Sequence, residues 1–230
     1  MDLFWSVRPD LSGYHGSPEP APGTRVFFVY ERWREAQLAE GHSPPPEMPD
    51  MVGFHVFNRA RDVSHWPCRL FRVRDLDVHH QWPGIHGWYC CRMMTLVEEL
   101  PSWQALGPHG ERVAVVLEQA RALTPEQVAQ IAAMDGTAER RVHARGQPRD
   151  VGHSGSYLSR AVHAAADHSG EKVRRWDSGF QVHLPAHRGW LEALQAAHAM
   201  LWATAAPEAY TPRERETLSR RWTAVLGAHT

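Results

Sequence analysis

The chain has 230 residues, 43% of them hydrophobic and 22% charged, and a formal net charge of −1. That length suits one large domain or two small ones, and the composition excludes wholesale disorder. Near-neutrality argues against a nucleic-acid binder, whose affinity comes largely from a basic surplus.

Asp2 to Val7 (DLFWSV) reads as a short strand, followed by a Gly- and Pro-rich stretch from Pro9 to Gly23 that suits no element interior. Arg25 to Tyr30 (RVFFVY) reads as a buried strand. Glu31 to Glu40 has helical composition stopped by Gly41, and Ser43 to Asp50 (SPPPEMPD) is an extended proline loop. Gly53 to Phe57 (GFHVF) predicts a strand, and Arg59 to Trp66 a single helix closed by Pro67. Cys68 to Val78 alternates, with Leu70, Phe71, Val73, Leu76 and Val78 on an apolar face after a one-step slip of the kind a bulge produces. His79 to Gly87 is expected as a loop, and Trp88 to Leu100 as a returning strand.

From Gly110 the period changes from two to about 3.6. Glu111 to Leu123 presents Val113, Val116, Leu117 and Ala120 on one face. Thr124-Pro125-Glu126-Gln127 supplies an N-cap, a Pro at the first helical position and a capping-box Gln, for a helix expected to reach about Arg145. Ser154 or Ser156 suits the cap of a helix ending near His168. Gly189 to Ala206 and Pro212 to Leu226 predict two more, the last behind a second Thr-Pro cap. Glu171 to Leu184 is ambiguous between a helix end and a short strand. The expected fold class is α+β, with a small mixed or antiparallel β-rich half (1–107) packed with a helical half (108–230).

Cys68, Cys90 and Cys91 form no even framework, and adjacent Cys90 and Cys91 on a strand would face opposite ways, so reduced thiols are expected. Met1-Asp2 begins no apolar run of signal-peptide type, and no eighteen-residue apolar window offers a membrane span. A cytoplasmic location is the simplest expectation. The basic residues are almost all arginine, Lys172 being the single lysine, a skew that genome composition explains.

The densest candidate for metal is His79, His80 and His86 near Cys68, Cys90 and Cys91, but the paired spacings of zinc sites are missing and no metal is expected. Gly152-His153-Ser154-Gly155-Ser156 departs from a nucleophile elbow in its last residue and lacks a preceding strand, so helix capping explains the serines. Trp66, Trp82, Trp88 and Trp103 gather in the β half, where they either pack the core or line an aromatic pocket for a planar ligand. Trp190, Trp202 and Trp222 suit helix–helix seams.

The run GFHVF, then CRLFRV, then MMTLVEELPSW, together with the terminal ERETLSRRWTAVLG, resembles a module of uncharacterised bacterial and phage proteins over residues 50 to 105 and 205 to 227. More distantly, Arg8 after a first strand, Gly53-Phe54-His55 on a middle strand and Glu98-Glu99 at a later strand end resemble the order used by the ADP-ribosyltransferase-like fold. That fold carries Ser-Thr-Ser where this chain has Gly-Phe-His, and its Glu comes later. The resemblance implies an NAD-using site in which Arg8 holds a phosphate, His55 lies near the ribose, and Glu98 or Glu99 stabilises an oxocarbenium-like charge. Trp88 joins Arg8 as a candidate cofactor contact. The function expected is thus a pocket for a nucleotide-like or other small ligand; the alternative is a non-catalytic module whose helical half docks a protein partner.

Overall fold

Short apolar runs separated by turns give the N-terminal part strands with two usable faces, and long 3.6-periodic runs give the C-terminal part helices. The computed structural model describes residues 2–45, 47–63, 66–81, 87–144, 154–169, 175–176, 179–180 and 185–227. The chain divides into two compact units, 1–105 and 106–230.

The first unit holds β1 (Leu3–Val7), β2 (Gly16–Ser17), β3 (Arg25–Phe28), α1 (Tyr30–Ala39), β4 (Phe54–Phe57), β5 (Arg69–Arg74), β6 (Val78–Gln81), β7 (Trp88–Cys91) and β8 (Met93–Leu100). They form one curled sheet in the order β2-β3-β8-β5-β1-β4-β7-β6, in which every registered pair is antiparallel. β7 and β8 are halves of one bent stretch with Arg92 at the joint; Arg92 donates its N–H to the Asp77 carbonyl and accepts from Phe28. That bend takes the place of the single strand expected from Trp88 to Leu100.

Three other expectations change in this unit. Where a helix was expected from Arg59 to Trp66, the chain makes one 3₁₀ turn, Ala60–Asp62, before Val63 returns to extended backbone. The alternating run from Cys68 to Val78 is two strands, because Asp75 adopts a left-handed φ of 53° and ends β5, a conformation that Asp tolerates better than most residues. His79 and His80, expected in a loop, lie on β6. The slip in the β5 pattern has two sources. Phe71 and Val73 join one buried cluster with Trp5, Val7, Phe54 and Val56, whereas Leu70 joins a second on the other face with Val63 and Cys68. The register also shifts at Arg72/Val73, where Val97 on β8 is the extra residue.

The second unit holds α2 (Gly110–Arg121), α3 (Pro125–Ala133), α4 (Thr137–His143), α5 (Ser154–His168), the hairpin β9 (Arg175–Trp176) and β10 (Gly179–Phe180), α6 (Pro185–Ala205) and α7 (Pro212–Leu226). Both Thr-Pro starts form complete capping boxes, Thr124 with Gln127 and Thr211 with Glu214. α6 packs against α2, α3, α5 and α7, with Trp190, Leu201, Leu218 and Trp222 almost fully buried. The helix expected to run on to Arg145 breaks after Ala133. The Asp135 carboxylate accepts the Thr137 N–H at 2.9 Å, and Gly136 lies where a Cβ would come within 2.7 Å of the Arg221 guanidinium carbon.

Arg221 explains that approach. It is fully buried on α7 and donates to both oxygens of buried Glu139 at 2.9 and 2.6 Å, and to Glu192 at 2.8 Å. Arg140 reaches Glu192 at 3.4 Å, so two arginines and two glutamates cancel in charge. Among the described residues no helix is long and apolar enough to cross a membrane.

Candidate functional site

The sheet opens between β1 and β4. These strands share one registered pair, Phe4 with Phe57, whereas β1 pairs with β5 at five positions and β4 with β7 at four. Beyond Phe4 the two strands line a hollow of about 220 Å³, with Trp5 to Arg8 on one side and Gly53 to His55 on the other. The loop Ser12 to His15 and the side chains of Phe28 and Trp33 complete its wall.

The loop is held by its own backbone. Leu11 and Gly13 take left-handed φ values of 57° and 74°, the Leu11 N–H donates to the Arg8 carbonyl, and the Tyr14 N–H donates to the Leu11 carbonyl, both at 3.0 Å. The Asp10 carboxylate accepts the Ser12 N–H at 2.9 Å. This places Tyr14 parallel to Phe54, ring centres 6.2 Å apart and 11° between planes. Trp5 meets Tyr14 at 5.9 Å and the Phe54 edge at 5.5 Å, and Phe28 stands edge-on to Phe54 at 5.5 Å. Four ring-bearing segments thus build one aromatic wall, the kind of surface that stacks a planar guest.

The polar groups are few. Arg8 is exposed at the rim and donates to the Ser12 hydroxyl at 3.2 Å. Among the described residues it is the one side chain of fixed charge in the lining, and no described carboxylate lines the hollow. His15 and His55 have their pKa pulled below the ordinary histidine value by burial; the Glu40 charge opposes this at His15, and a hydrogen bond to the Met51 backbone opposes it at His55. Burial thus favours the neutral form of both rings. Burial pushes the Tyr14 hydroxyl up to about 12, so it is neutral, and it donates to the Pro18 carbonyl.

Of the residues singled out by sequence, Arg8 and His55 come together here. Trp88 stands one ring away, edge-on to His55 at 5.5 Å and stacked on Phe57 at 5.8 Å, outside the lining. Glu98 and Glu99 are on β8, which β5 separates from β1, and neither lines the hollow. Arg69 grips Glu99 with two bonds of 2.9 and 2.8 Å, holding its carboxyl below the usual range, and Arg72 pairs with Glu98. Of the tryptophans considered for a pocket, Trp66 packs against the second cluster, and Trp82 lies outside the described residues. The aromatic wall uses Trp5 instead, and Trp33 also lines the hollow. Sequence pattern placed Trp5 and Phe54 on strands, but their convergence with Tyr14 and Phe28 depends on pairing and loop geometry that no local pattern carries.

Cys68, Cys90 and Cys91 are free and buried. Burial pushes the thiols of Cys68 and Cys90 up to about 12 and 11, and that of Cys91 up as well, so none is an activated nucleophile. His79 and His80 sit on β6, and His86 and the glycine-serine stretch before Ser154 lie outside the described residues. Among the described residues no three His, Cys, Asp or Glu side chains are placed to hold a metal ion. No protein-family model matches the chain, and neither do curated proteins or solved structures.

Proposed function

We propose that the N-terminal unit is a small-molecule-binding module whose ligand, a planar ring, occupies the hollow between β1 and β4. The observation that carries this reading is the aromatic wall of Trp5, Tyr14, Phe28 and Phe54 around an opening in the sheet, with a few polar groups at its mouth. Such a combination of apolar surface and sparse polar groups is what recognises small ligands.

Size limits the guest. The hollow measures about 220 Å³, below the ~300–1,000 Å³ of sites for drug-sized molecules, a size that suits a single ring with a substituent. Arg8 and His55 belong to the set implied by the transferase resemblance, but Glu98 and Glu99 are committed to Arg72 and Arg69 away from the hollow. The reading proposed is accordingly binding, with no catalytic carboxylate assigned.

Amide spectra of the labelled chain, titrated with single-ring aromatic compounds, test it. The N–H signals of Ser12, Gly13 and Gly53 and the indole N–H signals of Trp5 and Trp33 are expected to move together and saturate. Saturable shifts confined to other residues, or none with any compound, overturn the assignment of the hollow.

A further inference from the structure

We infer that the ligand of the hollow is an anion, a single-ring aromatic carboxylate whose charged group is read by Arg8; this deepens the binding reading above and rests on it. Among the described residues Arg8 is the one side chain of fixed charge that lines the hollow. Arg8 makes no ion pair with any described residue, and its described hydrogen bond goes to a neutral hydroxyl, Ser12.

Nearby acids do not fill the gap. Asp10 is two residues away and feels the Arg8 charge, but the Ser12 N–H and hydroxyl act on its carboxylate more strongly, and it does not line the hollow. Glu19 and Glu40 act on Tyr14 and His15 from outside the wall, and neither lines the hollow. Arg32, also outside, is tied to the Gly16 carbonyl at 2.5 Å. Among the described residues the hollow is therefore lined by one positive fork, no carboxylate, and histidines whose burial favours the neutral form. A planar guanidinium fits a planar carboxylate through two parallel bonds. A carboxylate held at the Arg8 rim leaves its attached ring inside the hollow. Stacking and charge then act on opposite ends of one small molecule.

The experiment compares benzoate with benzamide, which keeps the ring and removes the charge, and uses inorganic phosphate as an anion without a ring. Each is titrated into the full chain and into Arg8→Gln while the same amide signals are followed. Arg8 is exposed, so its replacement leaves the core untouched. The expected result is benzoate binding that weakens about tenfold or more in Arg8→Gln, as loss of a charge-assisted bond implies, together with benzamide binding that is weak and indifferent to the variant. Benzoate and benzamide binding alike, with no effect of Arg8→Gln, overturns the anion inference and leaves the aromatic hollow standing. Phosphate binding as well as benzoate overturns the requirement for a ring. No saturable shift with any of the three removes both the inference and the reading beneath it.

Discussion

At the scale of single residues, exposure separates the two sequence-predicted groups that line the hollow. Arg8 lies exposed at the rim, while His55 is pushed toward its neutral form by the desolvation of its ring. Unfolded, a histidine titrates near about 6.5. Between that value and the lower folded one, the unfolded chain binds more protons, so stability rises with pH across this window. It is lost as pH falls through the ordinary histidine value toward the folded one. His15 acts in the same direction. The described carboxylates with lowered pKa, Asp10, Glu99, Glu126 and Asp135, lose their contribution further down, below the ordinary carboxylate range near about 4. The urea midpoint is accordingly expected to drop between about pH 7.5 and 5.5, and to drop less in His55→Asn, whose side chain cannot titrate. Equal slopes in both proteins would mean that His55 is as easily protonated folded as unfolded.

Single elements were legible where their cause is local. Thr124-Pro125 and Thr211-Pro212 mark helix starts because the cap, the ring and the side chain three residues on all act within one turn, and both capping boxes form. Breaks set by distant partners were not legible. The end of α3 depends on Gly136 lying against Arg221, 85 positions further along the chain, and on that arginine having buried acids to meet. Gly53 is a case of the same kind on the wall of the hollow. A Cβ there would lie 2.7 Å from the Cys91 carbonyl oxygen, 2.9 Å from the Cys90 sulfur and 3.0 Å from the His79 ring. The first is backbone of a paired strand and cannot swing aside. Gly53→Ala should therefore cost about 1–3 kcal/mol, the usual penalty for overpacking a tight interior. Urea unfolding at constant m-value measures it, and an unchanged midpoint would show that β4 and β7 part easily at this end.

For the molecule as a whole, the change of hydrophobic period near Gly110 announced the division into a strand-rich and a helix-rich part. It could not announce the hollow, because Trp5, Tyr14, Phe28, Trp33 and Phe54 come from separate segments joined by a fold in the sheet. Nor could it show that Glu98 and Glu99 face arginines, since that depends on the register of β8 on β5. The same division supports a final prediction. All eight strands of the curled sheet lie between Leu3 and Leu100, and every member of the two buried clusters on its faces lies at or before Ala105. No strand of that sheet comes from the helical unit, whose own interior is built on Trp190, Leu218 and Trp222 and on the ions around Arg221. A chain of about a hundred residues is within the range that supports an independent core. Residues 1–105 produced alone should then give the circular dichroism of a strand-rich protein, a cooperative urea transition, and the same response of the Ser12, Gly13 and Gly53 amides to benzoate as the full chain. A fragment with the spectrum of an unfolded chain would show that the sheet depends on residues beyond Ala105. A folded fragment that no longer responds to benzoate would place part of the binding surface there.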